Sequence, residues 1–135
     1  MDVGETLLVE TRRAWRTWLA RHHRTKDEIW LVAYRKGSGK RSLDYDAAVE
    51  EALCYGWVDG LTKRVDGEHY VIRFSPRRGG SNWAESNRAR VRTLMAAGRM
   101  RKAGLATLPP DLRSELGLDP AAPRGSAPAG PRRKR

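Results

Sequence analysis

A chain of 135 residues carries 27 Lys and Arg against 16 Asp and Glu, a formal net charge of +11. That length supports one domain with a single core of modest size, and the one cysteine, Cys54, excludes an intramolecular disulfide and a cysteine-based metal cluster. No apolar run approaches membrane-spanning length and the N-terminus has no basic start leading into an apolar block, so the chain is expected in the cytoplasm. Six of the basic residues and two of the acidic ones fall in 112–135, which leaves the body basic in its own right. Such a field favours polyanions, although charge bears first on solubility and non-specific association.

In chain order, "LVETRRAWRTWLARHH" places Leu8, Thr11, Trp15, Trp18, Leu19 and His22 at helical spacing and predicts an amphipathic helix over 8–23. "EIWLVAYRK", rich in β-branched and aromatic residues, predicts a strand over 28–36 buried on more than one side. "GSGKRS" ends it. Asp44 is suited to cap a helix over 44–55 with Ala48, Val49, Ala52 and Leu53 on one face, and Gly56 to end it in a left-handed conformation. Asp46, Glu50 and Glu51 fall away from Leu53 and are expected as a solvated acidic face.

Two further strand-like runs, 57–65 and 68–75, flank Asp66-Gly67, the dipeptide that favours a type I′ hairpin turn. A two-residue loop pairs Val65 with Glu68, Leu61 with Ile72 and Asp59 with Phe74, and puts the Asp59 carboxylate on the apolar face. A third helix is expected over 82–97, with Asn82 and Glu85 at capping-box spacing, Trp83, Asn87, Val91, Leu94 and Met95 inward, and Gly98 at its end. "LPPDLRSELGLD" allows a short helical segment in 108–119, and 120–135 is a basic, Pro/Gly/Ala-rich tail expected to be disordered. The predicted architecture is therefore one α+β domain over 1–107, a three-stranded, largely antiparallel sheet with an Asp-Gly hairpin, packed by three main helices.

"FSPRRGGSNWAESN", 74–87, is the strongest candidate for a binding site. Arg77 and Arg78 supply planar donors, Gly79 and Gly80 permit close backbone approach, and Ser81 lies where helix amides are unpaired, which together describe an anion cradle. The hairpin brings Trp57 and Asp59 to the same end, and Trp57 and Trp83 flank the loop where they can stack on a flat ligand. The structural alternative is a clamp: Asp59 pairs with Arg77 or Arg78, Ser81 caps the helix, and both tryptophans are core. Arg88, Arg92, Arg99, Arg101 and Lys102 form a basic stripe that offers a second reading, nucleic-acid binding through the phosphate backbone. Cys54 reads as a small buried hydrophobe, since His22, His23 and His69 have no sequence-local reason to meet it. No catalytic residue, metal or cofactor is expected.

From Trp18 to Leu105 the sequence resembles the YdeI/OmpD-associated, or bacteriocin-protection, family, most specifically through "SLDYDAAVEEALCYGWVDG" and "FSPRRGGSNW". The resemblance implies a small intracellular α+β domain, an association with protection against bacteriocins or cationic peptides, and no established chemistry. It also implies a basic C-terminal helical domain entered through a segment similar to "LPPDLRSELGLDPAA". Here that segment follows Leu105 almost directly, so the chain is expected to be a truncated form without that domain. The expected function is non-enzymatic: a cytoplasmic stress or antimicrobial-peptide protection protein that binds an anionic small molecule, a phosphate-containing ligand or a partner at the 75–83 loop. A nucleic-acid-binding module and an enzyme of unknown reaction are the alternatives.

Overall fold

The structure, a computed structural model, describes residues 2–79 and 82–118. In chain order the elements are β1 (Thr6–Leu7), α1 (Arg12–His22), β2 (Ile29–Tyr34), α2 (Tyr45–Cys54), β3 (Trp57–Arg64), β4 (His69–Pro76), α3 (Glu85–Ala96), α4 (Lys102–Leu105) and α5 (Pro110–Glu115). The expected three-stranded, largely antiparallel sheet is overturned. The sheet has four strands in the order β1-β2-β4-β3 and is mixed, because β1 runs parallel to β2 with Thr6 opposite Trp30 and Leu7 opposite Leu31. A parallel pair needs a crossover, which α1 supplies, and a two-residue strand is too short to show any alternation. Five helices, not three, accompany the sheet among the described residues.

Alternation explains where the core sits. Ile29, Leu31 and Ala33 of β2, Ile72 and Phe74 of β4, and Trp57 of β3 share the cluster that also holds Trp15 and Leu19 of α1 and Ala48, Val49, Ala52 and Leu53 of α2. Trp30 and Val71, on intervening positions, are also buried, as expected for a strand covered on both sides. There Arg73 pairs with Glu28 at 2.5 Å and the Trp30 indole N–H donates to the same carboxylate. α1 begins later than its periodicity suggests: Thr11 caps it by accepting from the Ala14 amide, and Leu8 lies ahead of the helix and is exposed. α2 meets its expected ends, with Asp44 accepting from the Ala47 amide and Gly56 at φ 78°.

The hairpin departs from the predicted register halfway along. Asp59 does face Phe74, but a shift between Asp59 and Thr62 pairs Thr62, not Leu61, with Ile72 and leaves Leu61 exposed. One extra residue in β3 is a bulge, for which Gly60 is the local signal. At the turn, the Asp66 carboxylate accepts from the amides of Glu68 and His69, so the aspartate side chain organises the loop. Gly67 is absent from the glycines with positive φ, which removes the type I′ turn. α3 also starts three residues after the expected position, with Ala84 as N-cap and no side-chain cap, so Asn82 and Glu85 form no capping box.

The C-terminal end of α2 is the most crowded junction. Arg101 N–H donates to the Cys54 carbonyl at 3.0 Å and Arg77 N–H to the Gly56 carbonyl at 2.8 Å. Gly104 of α4 lies against the same turn: a Cβ there would stand 2.6 Å from the Leu53 carbonyl oxygen and closer still to that of Cys54. Backbone atoms cannot swing aside as a side chain can. Gly104→Ala is therefore expected to destabilise the fold by about 1–3 kcal/mol, as overpacking does, despite alanine's better helix propensity; urea unfolding checks this. Leu108 and Leu112 are buried in the main core, so α5 is part of the same body as the sheet. The expected disorder of 120–135 concerns residues outside those described.

Candidate functional site

Antiparallel pairing of Trp57 with Pro76 and Val58 with Ser75 brings the start of β3 to the end of β4, where the sequence placed the candidate loop. The Arg77 guanidinium stacks over the Trp83 ring at 3.9 Å from its centroid and donates to the Asn82 carbonyl at 3.3 Å. Burial lowers the Arg77 pKa, and the negative charge of Asp59 works against that shift. Arg78 and Gly79 are exposed beside this stack. Gly80 and Ser81 lie outside the described residues.

Asp59 sits on the helix-facing side of β3, as predicted, but its hydrogen bond goes to a residue the sequence did not single out. The Tyr45 hydroxyl, at the first turn of α2, donates to the Asp59 carboxylate at 2.7 Å. That hydrogen bond, with burial second, pushes the Tyr45 pKa up to about 12. Around this pair, Arg90 bridges Asp46 at 2.8 Å and the Asn87 side-chain oxygen at 3.0 Å. A polar cluster thus joins β3, α2 and α3 beside the 75–83 loop. The strand register put Asp59 on the apolar face, whereas its partner Tyr45 is set by how α2 packs against β3.

The two tryptophans divide. Trp57 is 1% exposed, its indole N–H donates to the His23 carbonyl, and its ring meets Trp18 edge-on. It is core and has no surface to offer a ligand. Trp83 is half-buried under Arg77 and stays at the loop.

The basic stripe is largely folded onto carboxylates. Arg88 pairs with Asp111 at 2.8 Å, Arg92 with Glu85 at 2.7 Å and Glu115 at 2.6 Å, and Arg99 with Glu51 at 2.7 Å. Arg101 and Lys102 remain exposed. Asp111 and Glu115 belong to α5, so the short helical segment expected in 108–119 pairs with Arg88 and Arg92 of α3.

Glu51 is the main correction to the expected acidic face: it is 0% exposed. Arg16 reaches one carboxylate oxygen at 2.6 Å, and Arg12 and Arg99 reach the other at 3.0 and 2.7 Å. Burial by itself raises the Glu51 pKa, but hydrogen bonds from Arg16, Arg99 and Arg12 overcome it and the net shift is downward. Cys54, one turn on, is fully buried, and burial followed by the Glu51 charge pushes its thiol pKa up. That is the opposite of what activates a nucleophile. Among the described residues no group of His, Cys, Asp and Glu is arranged to hold a metal, and no helix is long and apolar enough to cross a membrane.

Fold and contacts together define a small α+β domain with an arginine-rich surface, on which Arg88, Arg90, Arg92 and Arg99 are held in ion pairs. The chain belongs to the family described as a domain of unknown function (DUF8412), which matches residues 7–107. Neither a curated protein nor a solved structure matches it.

Proposed function

We propose that the chain is a non-enzymatic binding protein that takes a small anionic ligand, such as a phosphate-containing molecule, at the 75–83 loop. The observation that carries this reading is the exposed Arg78 and Gly79 set beside an Arg77 side chain held in place over Trp83. Arg78 has no carboxylate partner among the described residues, so its donors face solvent. Asp59 receives the Tyr45 hydroxyl, which supports its role as a fixed negative neighbour of Arg77. A cytoplasmic role in stress or antimicrobial-peptide protection accompanies this reading and rests on the resemblance to the YdeI/OmpD-associated family.

The pairing of Arg88, Arg92 and Arg99 weighs against the nucleic-acid alternative, because a stripe that tracks phosphates needs its cations available. The burial of Cys54 weighs against the enzyme alternative built on that thiol.

Calorimetric titration with inorganic phosphate tests the proposal. Arg78→Ala is expected to abolish binding while changing stability by less than about 0.5 kcal/mol, as exposed substitutions do. Arg77→Ala is expected to lose binding and also about 1–2 kcal/mol of stability, because it gives up a partly desolvated stack on Trp83. A wild-type protein that shows no phosphate uptake, or an Arg78→Ala variant that binds unchanged, removes the loop as a site. Uptake of duplex DNA that falls steeply with salt would replace it with the nucleic-acid reading.

A further inference from the structure

A second concave surface lies on the helix side of the sheet, where "GSGKRS" ends β2. It is an open groove of about 1150 Å³, a little above the range of small-molecule sites at roughly 300–1,000 Å³. Its floor is apolar: Leu31 and Ala33 of β2, Ile72 of β4, and Ala47 and Ala48 of α2. Basic residues dominate its rim, with Arg35, Lys36, Lys40 and Arg41 on one side and Arg12 on the other, against the carboxylates of Glu10 and Asp44.

The charges are not equivalent. Arg12 is bound to Glu50 and Glu51, and Lys40 to Glu68. Arg35, Lys36 and Arg41 form no ion pair among the described residues, so with Glu10 and Asp44 counted against them the rim keeps a net positive charge above an apolar floor. Tyr34, Tyr45 and Tyr70 also line it, and the Arg35 guanidinium stands 6.0 Å over the Tyr70 ring.

The rim is also held in position. The Ser42 hydroxyl accepts from the Tyr34 amide at 2.8 Å, and the Leu43 amide donates to the Val9 carbonyl at 2.9 Å. Gly37 and Gly39, at φ 88° and 80°, let the loop turn back over the sheet between those anchors. A wall already fixed by the fold costs a ligand little ordering on binding.

We infer that this groove binds a small amphipathic organic anion, its apolar chain or ring against the partly exposed Tyr34, Tyr45 and Tyr70 above the floor of Leu31, Ala33, Ile72 and Ala48, and its carboxylate or phosphate head at Arg35, Lys36 and Arg41. The apolar floor gives affinity and the three cations give orientation, the division of labour usual in small-molecule sites. The site is separate from the 75–83 loop and stands or falls independently of it.

The test is an amide chemical-shift titration of the full chain with decanoate, decanol and inorganic phosphate. Decanoate is expected to give saturable shifts at Ala33, Ala48 and Ile72, with decanol and phosphate at least about tenfold weaker there, because neither offers both halves of the contact. R35A/R41A, two exposed positions, is expected to weaken decanoate by at least about tenfold through loss of charge-assisted hydrogen bonds, with an unchanged melting temperature. R78A is expected to leave decanoate binding intact. The inference is overturned if decanol binds as well as decanoate, if decanoate moves only the exposed loop amides in step with phosphate, or if R35A/R41A has no effect. Loss of decanoate binding in R78A would also overturn it, by placing the ligand at the other loop.

Discussion

Glu51→Ala is expected to destabilise the protein by about 3–5 kcal/mol, the cost of removing one partner from a buried charge cluster. The carboxylate is fully buried and meets three guanidinium groups, so its loss leaves Arg12, Arg16 and Arg99 facing one another. Arg12 and Arg99 are partly exposed and can turn to water, whereas the Arg16 side chain is only 18% exposed and keeps no carboxylate, only the Arg99 carbonyl, the Cys54 side chain and the face of the Tyr55 ring. Denaturant unfolding at neutral pH reads the difference. Acid gives a second view. The Glu51 pKa is depressed below the ordinary 4.5, so its contribution is complete above that value and is lost as pH falls through the folded value. Wild-type stability is expected to drop steeply below about pH 4.5, and Glu51→Gln to show a shallower acid limb. Parallel limbs would mean that other depressed carboxylates, such as Glu28 beside Arg73, carry the acid sensitivity.

Trp57→Ala is expected to cost a comparable 3–5 kcal/mol, roughly the range for emptying a buried aromatic site. The indole sits between Trp18 and the core, and its N–H satisfies the His23 carbonyl, which the substitution would leave unpaired. The melting temperature separates this from a ligand-facing role. A variant that kept its stability but lost affinity for phosphate would return Trp57 to the binding site; a large fall in melting temperature keeps it in the core.

What could be read from the sequence was what depends on neighbours in the chain. Asp44 and Gly56 mark the ends of α2 because a cap and a left-handed residue act within one turn. The pairing of Asp59 with Phe74 followed from the position of the hairpin, and failed at Thr62 because a bulge counts one residue without changing the pattern of side-chain types. β1 was invisible, since two residues have no period. At the candidate site the arginines and their loop were legible, whereas Tyr45 as the donor to Asp59 depends on how α2 lies against β3. Glu51 was misread for a related reason. Its arginines come from 35, 39 and 48 residues away, and α2 is buried on nearly every side, so an acidic residue there has no solvent face to occupy. The near-continuous run of small and apolar residues around it was the available hint.

The sheet's two borders limit how the protein can meet other chains. One border is β1, with two residues to offer; the other is β3, interrupted by a bulge and ending in Lys63 and Arg64. Short, kinked and positively charged margins are poor templates for an incoming strand. Neither strand exchange between copies nor capture of an extended peptide by backbone hydrogen bonds is favoured along these margins. Association is left to side chains, and a concentrated solution of this protein is expected to resist the edge-to-edge growth that leads to fibrils.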